Sequence, residues 1–260
     1  MIPSSSKNIG GQRKLAFLLL GLLMALIICV ALMAAVPPVS RDALTHHLAS
    51  PKLYLKHGGI HEIPAFKYSY YPMNLDLLYL LALYFKNDIL PKYIHFAFAL
   101  FTGLILYRYL NQRINRHYAL FGVLSFLSIP VIVKLSITVY VDLGLIFFST
   151  AALLFFLKWL DSECDLKQLL IAAVFCGLAL GTKYNGLLVL VLLALFTPYA
   201  YMRRHSAEKA AGVKALGYTA VFVLTALIVF SPWMIRNYVW TNNPLFPLYD
   251  TLFNPDSPYP

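Results

Sequence analysis

The chain has 260 residues, 60% hydrophobic and 12% charged, with a formal net charge of +10. An ordinary soluble domain carries about 25% charged residues, so this composition excludes a soluble globular domain and points to an integral membrane protein that crosses the bilayer several times. The excess of Lys and Arg follows from basic loops held on the cytoplasmic side of a membrane, and no nucleic-acid partner is expected.

Leu15 to Val36 contains no charged and no polar side chain. At about 1.5 Å per residue it is long enough to cross a hydrocarbon core of about 30 Å. Pro37 and Pro38 stop the helix. Lys7, Arg13 and Lys14 precede it, as in a secretory signal, but the apolar stretch exceeds the roughly 7–15 residues of such a signal. It is read as an uncleaved anchor, 15–36. Further apolar runs at 91–109, 118–135, 141–160, 168–182, 185–202 and 215–233 bring the predicted spans to seven. The run Met73 to Phe85 is shorter and contains Asp76, which suits a helix at the outer interface.

The charges test this choice. With a cytoplasmic amino terminus and 73–85 not crossing, the loops Arg108–Arg116 and Lys158–Lys167 and the cluster Arg203, Arg204, Lys209 and Lys214 all lie inside, as the positive-inside rule asks. Were 73–85 to cross, the loops 108–116 and 203–214 would face out. The predicted fold is therefore an all-α, multi-pass bundle in the cytoplasmic membrane, a single module over 1–260. It has one long external loop, 37–90, and an external tail, 234–260. A loop of that length is usually functional. Leu44, Leu48, Leu53 and Leu55 alternate there with His46, His47, Lys52 and Lys56, so juxtamembrane helices lying along the surface are expected. Tyr68, Tyr70 and Tyr71 beside Pro72 read as interface anchors. Gly177 and Gly181 form G-x-x-x-G, read as close helix packing. Cys29, Cys164 and Cys176 have no metal-ligand spacing, and no nucleotide-binding, hydrolase or zinc-protease motif is present.

The charged residues that could carry chemistry sit at span ends. Asp42 follows the first span, and His46 is one helical turn on, a spacing that suits a general base or a cation site as well as an exposed pair. Asp142 opens the fourth span in Tyr140-Val141-Asp142, either facing a cavity or stabilising a helix amino terminus. Lys183, in Gly181-Thr182-Lys183-Tyr184-Asn185-Gly186, and Arg236, in Pro232-Trp233-Met234-Ile235-Arg236-Asn237, are placed to meet a phosphate at the membrane surface or to snorkel among headgroups. The other histidines, His57, His61, His95, His117 and His205, are scattered and read as structural or solvated.

Arg41-Asp42-Ala43-Leu44-Thr45-His46-His47-Leu48-Ala49-Ser50-Pro51-Lys52-Leu53-Tyr54 resembles the first external loop of bacterial GT-C glycosyltransferases of the protein-mannosyltransferase and lipid A aminoarabinose transferase type. Tyr71-Pro72-Met73-Asn74-Leu75, Tyr140-Val141-Asp142, Gly177 to Tyr184 and Pro232 to Tyr238 fall in the order of that family. The resemblance implies a transferase that moves a sugar from a polyprenyl-phosphate donor to a lipid, polysaccharide or protein acceptor, among membrane lipids. It implies Asp42 and Asp142 as catalytic carboxylates, and as the ligands if a divalent cation is the cofactor. Lys183 and Arg236 are implied as phosphate contacts, and His46, Lys52, Tyr140 and Tyr184, from the same stretches, as further substrate contacts. Protein mannosyltransferases often carry Asp-Glu where this chain has Asp42-Ala43, which opens lipid and polysaccharide acceptors. Related enzymes generally continue with more spans beyond Asp256-Ser257-Pro258-Tyr259-Pro260, so the chain is read either as the family's first module alone or as the first part of a longer enzyme. A transporter or flippase is the rival reading; it predicts charges at mid-span and paired repeats, whereas here the charges gather at span ends. The oligomeric state is left open.

Overall fold

A computed structural model describes residues 6–255, all helix, turn and irregular chain. The end of the expected external tail, Asp256 to Pro260, lies outside the described residues. Helix α1 (Ser6–Ala34) is the first anchor. A π-helical turn (Ala43–His47) runs into α2 (Ala49–His57), and α3 (Asn74–Tyr84) completes the predicted external loop. The bundle proper follows as α4 (Leu90–Arg113), α5 (Arg116–Ser128), α6 (Pro130–Ser136), α7 (Asp142–Asp161), α8 (Leu166–Leu180), α9 (Gly186–Arg204) and α10 (Ala211–Thr241). A short α11 (Asp250–Phe253) closes the described chain.

All seven predicted spans are helical, but they are not equivalent. Five helices, α1, α4, α7, α9 and α10, are long and apolar enough to cross a membrane, and α5 with α6 makes a sixth only as a pair bent by 68°. The bend falls at Ile129-Pro130. Proline disfavours helical backbone in the residue before it, and Ile129 is extended, with ψ of 125°. Helix α8 has 15 residues, fewer than the roughly 20 of an independent span. It does not stand alone in lipid. Leu169, Ala172, Ala173, Cys176, Ala179 and Leu180 are all fully buried, and α7 and α10 flank it closely. Its buried face makes α8 the axis of the larger core, with Phe156, Trp159, Phe222 and Phe230 packed about it, while Leu166 and Val174 stay exposed.

A second core of Leu75, Tyr79, Phe96, Ala99, Val123, Val139 and Leu143 joins α3, α4, α5 and the start of α7. It explains why α3 is more than an interfacial strip, since Leu75, Asp76 and Tyr79 are buried and α3 is set into one end of the bundle. The outward faces carry exposed Leu188, Val191 and Leu195 on α9 and Leu216, Leu224 and Ile228 on α10, as a bundle facing acyl chains requires.

The two ends of the bundle differ in kind. At one end Arg113 pairs with Asp161, Arg204 donates to the Leu160 carbonyl, and His117 Nε2 donates to the Gln12 carbonyl at 2.8 Å. These ties gather the basic loops together. The other end holds the external loop and the polar residues described next.

Candidate active site

The site begins where α1 ends. Lys92 of α4 donates to the Val36 and Pro37 carbonyls, at 2.5 and 3.3 Å, and so anchors the chain that leads to Asp42. The following turn is π-helical, with the Leu48 N–H bonded to the Ala43 carbonyl at 2.8 Å. In an α-helix, residues five apart diverge by roughly 140°. The wider turn, a feature that recurs at functional sites, lets Asp42, His46 and His47 all line one cavity of about 480 Å³.

From α3, Asp76 reaches the same cavity. It is 5% exposed, and its Oδ1 lies 2.8 Å from His47 Nδ1. A carboxylate buried on an apolar helix is costly unless paired, so the pair ties the π-turn to α3. His46 stacks on Tyr68, ring centroids 4.3 Å apart. Burial first, and then the neighbouring His47, push the pKa of His46 down to about 4, which keeps its ring neutral at physiological pH.

Across the cavity, Asp142 opens α7 and its Oδ1 accepts from Lys183 Nζ at 2.8 Å. Both side chains remain open to the cavity, at 29% and 43% exposure. His95 on α4 fixes the start of α7. Its Nδ1 meets the Leu135 and Thr138 carbonyls, each at 3.0 Å, and its Nε2 meets the Leu143 N–H at 2.9 Å. Carbonyls only accept, so Nδ1 carries the proton and Nε2 is the acceptor, a neutral imidazole locked in one tautomer. Tyr79 donates to the Tyr140 carbonyl and holds that residue at the rim. On the Lys183 side, the Asn74 N–H bonds the Gly181 carbonyl at 2.9 Å, Asn74 Nδ2 the Leu178 carbonyl at 3.1 Å, and Trp233 Nε1 donates to Asn74 Oδ1 at 2.9 Å. One asparagine thus seats α3 on the end of α8 and steadies the turn that carries Lys183.

Of the residues singled out in the sequence, Asp42, His46, Tyr140, Asp142, Lys183 and Tyr184 line the cavity. Tyr184 is also bound behind it, donating to the Phe246 carbonyl at 2.8 Å, and burial raises its phenol pKa well above the ordinary value. Lys52 and Arg236 are not among the lining residues. Lys52 is exposed on α2. Arg236 is turned to the Tyr70 and Tyr71 carbonyls, at 2.6 and 3.1 Å, between the rings of Trp233 and Trp240. Its guanidinium holds the loop that forms one wall. Asp76 and His47 enter the site without having been predicted there; a carboxylate inside an otherwise apolar run was the available signal. Asp142 is engaged with the Lys183 ammonium, and among the described residues no three His, Cys, Asp or Glu side chains converge as metal ligands.

The profile of the dolichyl-phosphate-mannose-protein mannosyltransferase family matches residues 75–235, from α3 into α10. The chain belongs to that family. It is a multi-pass membrane protein of a glycosyltransferase family, as the resemblance implied. The match includes Asp76, Asp142 and Lys183, while Asp42, His46 and His47 precede it. No curated protein and no solved structure gave a significant match to the chain.

Proposed function

We propose that the chain transfers a sugar from a polyprenyl-phosphate donor to a lipid, polysaccharide or protein acceptor on the outer side of the cytoplasmic membrane. The observation that carries this reading is one cavity in which an accessible ammonium, Lys183, shares space with Asp42 and Asp142. It lies at the end of the bundle away from the basic loops. A donor with an apolar tail keeps its phosphate at the membrane interface, where such a cavity meets it.

The chemistry follows from the groups present. The acceptor hydroxyl attacks the anomeric carbon and the sugar–phosphate C–O bond breaks, leaving its electron pair on the phosphate. Lysine has three donors, and one is given to Asp142. The others are free to stabilise the charge that grows on the leaving phosphate. Asp142 holds that ammonium over the cavity. Asp42 is exposed and takes the acceptor's proton. His46, Tyr140 and Tyr184 offer rings and polar tips for the sugar.

Binding of polyprenyl phosphate to the purified protein tests the phosphate contact. Hydrogen bonds to charged groups contribute about 1.5–3 kcal/mol, so Lys183→Ala weakens binding by about tenfold to a hundredfold, with an unchanged melting temperature. Unaltered affinity would mean that Lys183 only snorkels.

A further inference from the structure

A transferase that puts the acceptor's proton on an aspartate must clear that proton before the next turnover. A group in the same cavity can receive it if it has a free basic atom, is held in one orientation and has a counter-charge behind it.

His47 meets these conditions. It lines the cavity with Asp42, five residues along the same π-helical turn. Its Nδ1 is engaged by Asp76 at 2.8 Å. A carboxylate only accepts, so Nδ1 carries the hydrogen and Nε2 is left as the basic atom. Nε2 has no hydrogen-bond partner among the described residues. A carboxylate behind Nδ1 fixes the tautomer and stabilises the imidazolium once it forms, the logic of histidine–aspartate pairs in general. The neighbouring histidines are unsuited. The ring of His46 is stacked and held neutral, and both nitrogens of His95 are committed to the backbone.

Resting on the transferase reading above, we propose that His47, oriented by Asp76, is the proton relay of this site. The acceptor O–H breaks and its proton passes to the Asp42 carboxylate. It then moves to His47 Nε2, giving an imidazolium against the Asp76 carboxylate. After the products leave, the imidazolium gives the proton to water and the pair is reset. Asp42 on its own turn, Asp142 and Lys183 line the cavity with His47, and the His46 ring lies beside it at 4.2 Å.

His47→Asn separates relay from tether, because the asparagine Nδ2 sits where His47 Nδ1 sits and still donates to Asp76, while Nε2 is lost. Sugar transfer from a radiolabelled polyprenyl-phosphate donor is followed in membranes between pH 5 and 8. The variant is expected to lose on the order of a hundredfold in turnover, within the usual range for acid–base groups. Its affinity for polyprenyl phosphate stays intact, and its pH profile differs in shape from the wild type. His47→Gly is expected to regain activity when imidazole is added. Active wild type with an His47→Asn variant of near-normal rate and superimposable pH profile would overturn the relay alone. No transfer by the wild type would remove the transferase reading and the relay with it.

Discussion

Arg236 and Lys183 are both cations at the ends of helical segments, and only their partners tell them apart. Arg236 binds two carbonyls of the 70–71 loop and stacks between two indoles. Arg236→Ala is therefore expected to destabilise the solubilised protein by about 1.5–3 kcal/mol, the range for hydrogen bonds to a charged group. The effect would be read as a lowered melting temperature. A variant that melts like the wild type would mean that these contacts are idle. Asp42, Asp142 and Lys183 were legible in the sequence because each interrupts or borders an apolar run, where a charge needs a reason. The His47–Asp76 pair was not, because its members are 29 residues apart and nothing local ties an external loop to a short helix. The separation of Lys52 and Arg236 from the cavity was equally invisible, since side-chain direction depends on which neighbour each helix meets.

Among the elements, the apolar runs located the helices well, because a lipid-facing backbone must satisfy its hydrogen bonds internally. Sequence length did not reveal which helices face lipid. Helix α8 reads as a span and behaves as a buried axis, and the run 118–135 breaks at Pro130 because of a backbone restriction. The G-x-x-x-G pair shows what close packing means here. A Cβ on Gly177 would lie 2.5 Å from the Ala226 carbonyl oxygen of α10, and one on Gly181 would lie 2.3 Å from Asn74 Nδ2. The two glycines serve different partners, the first a helix–helix contact and the second the seat of α3. Gly177→Ala is expected to cost about 1–3 kcal/mol, as overpacking does, with a lower melting temperature in detergent. Gly181→Ala is expected to lower transfer activity as well, because it displaces the asparagine that steadies the Lys183 turn. Stability unchanged in both would contradict the packing shown.

Across the whole molecule, the basic loops lie at one end of the bundle and the cavity at the other. A cysteine introduced at Asn111 should resist an impermeant thiol reagent in intact cells, and one at His61 should react. Labelling at Asn111 from outside would invert the topology. The central claim is that the cavity framed by Asp42, Asp142 and Lys183 transfers a sugar, and its most direct test is turnover of a radiolabelled polyprenyl-phosphate sugar in membranes carrying wild type or Asp42→Asn. The substitution keeps the side chain's shape and removes the base. Transfer by the wild type is expected, with a loss on the order of a hundredfold or more in the variant and polyprenyl-phosphate binding retained because Lys183 is intact. Near wild-type turnover in Asp42→Asn at matched expression would contradict it.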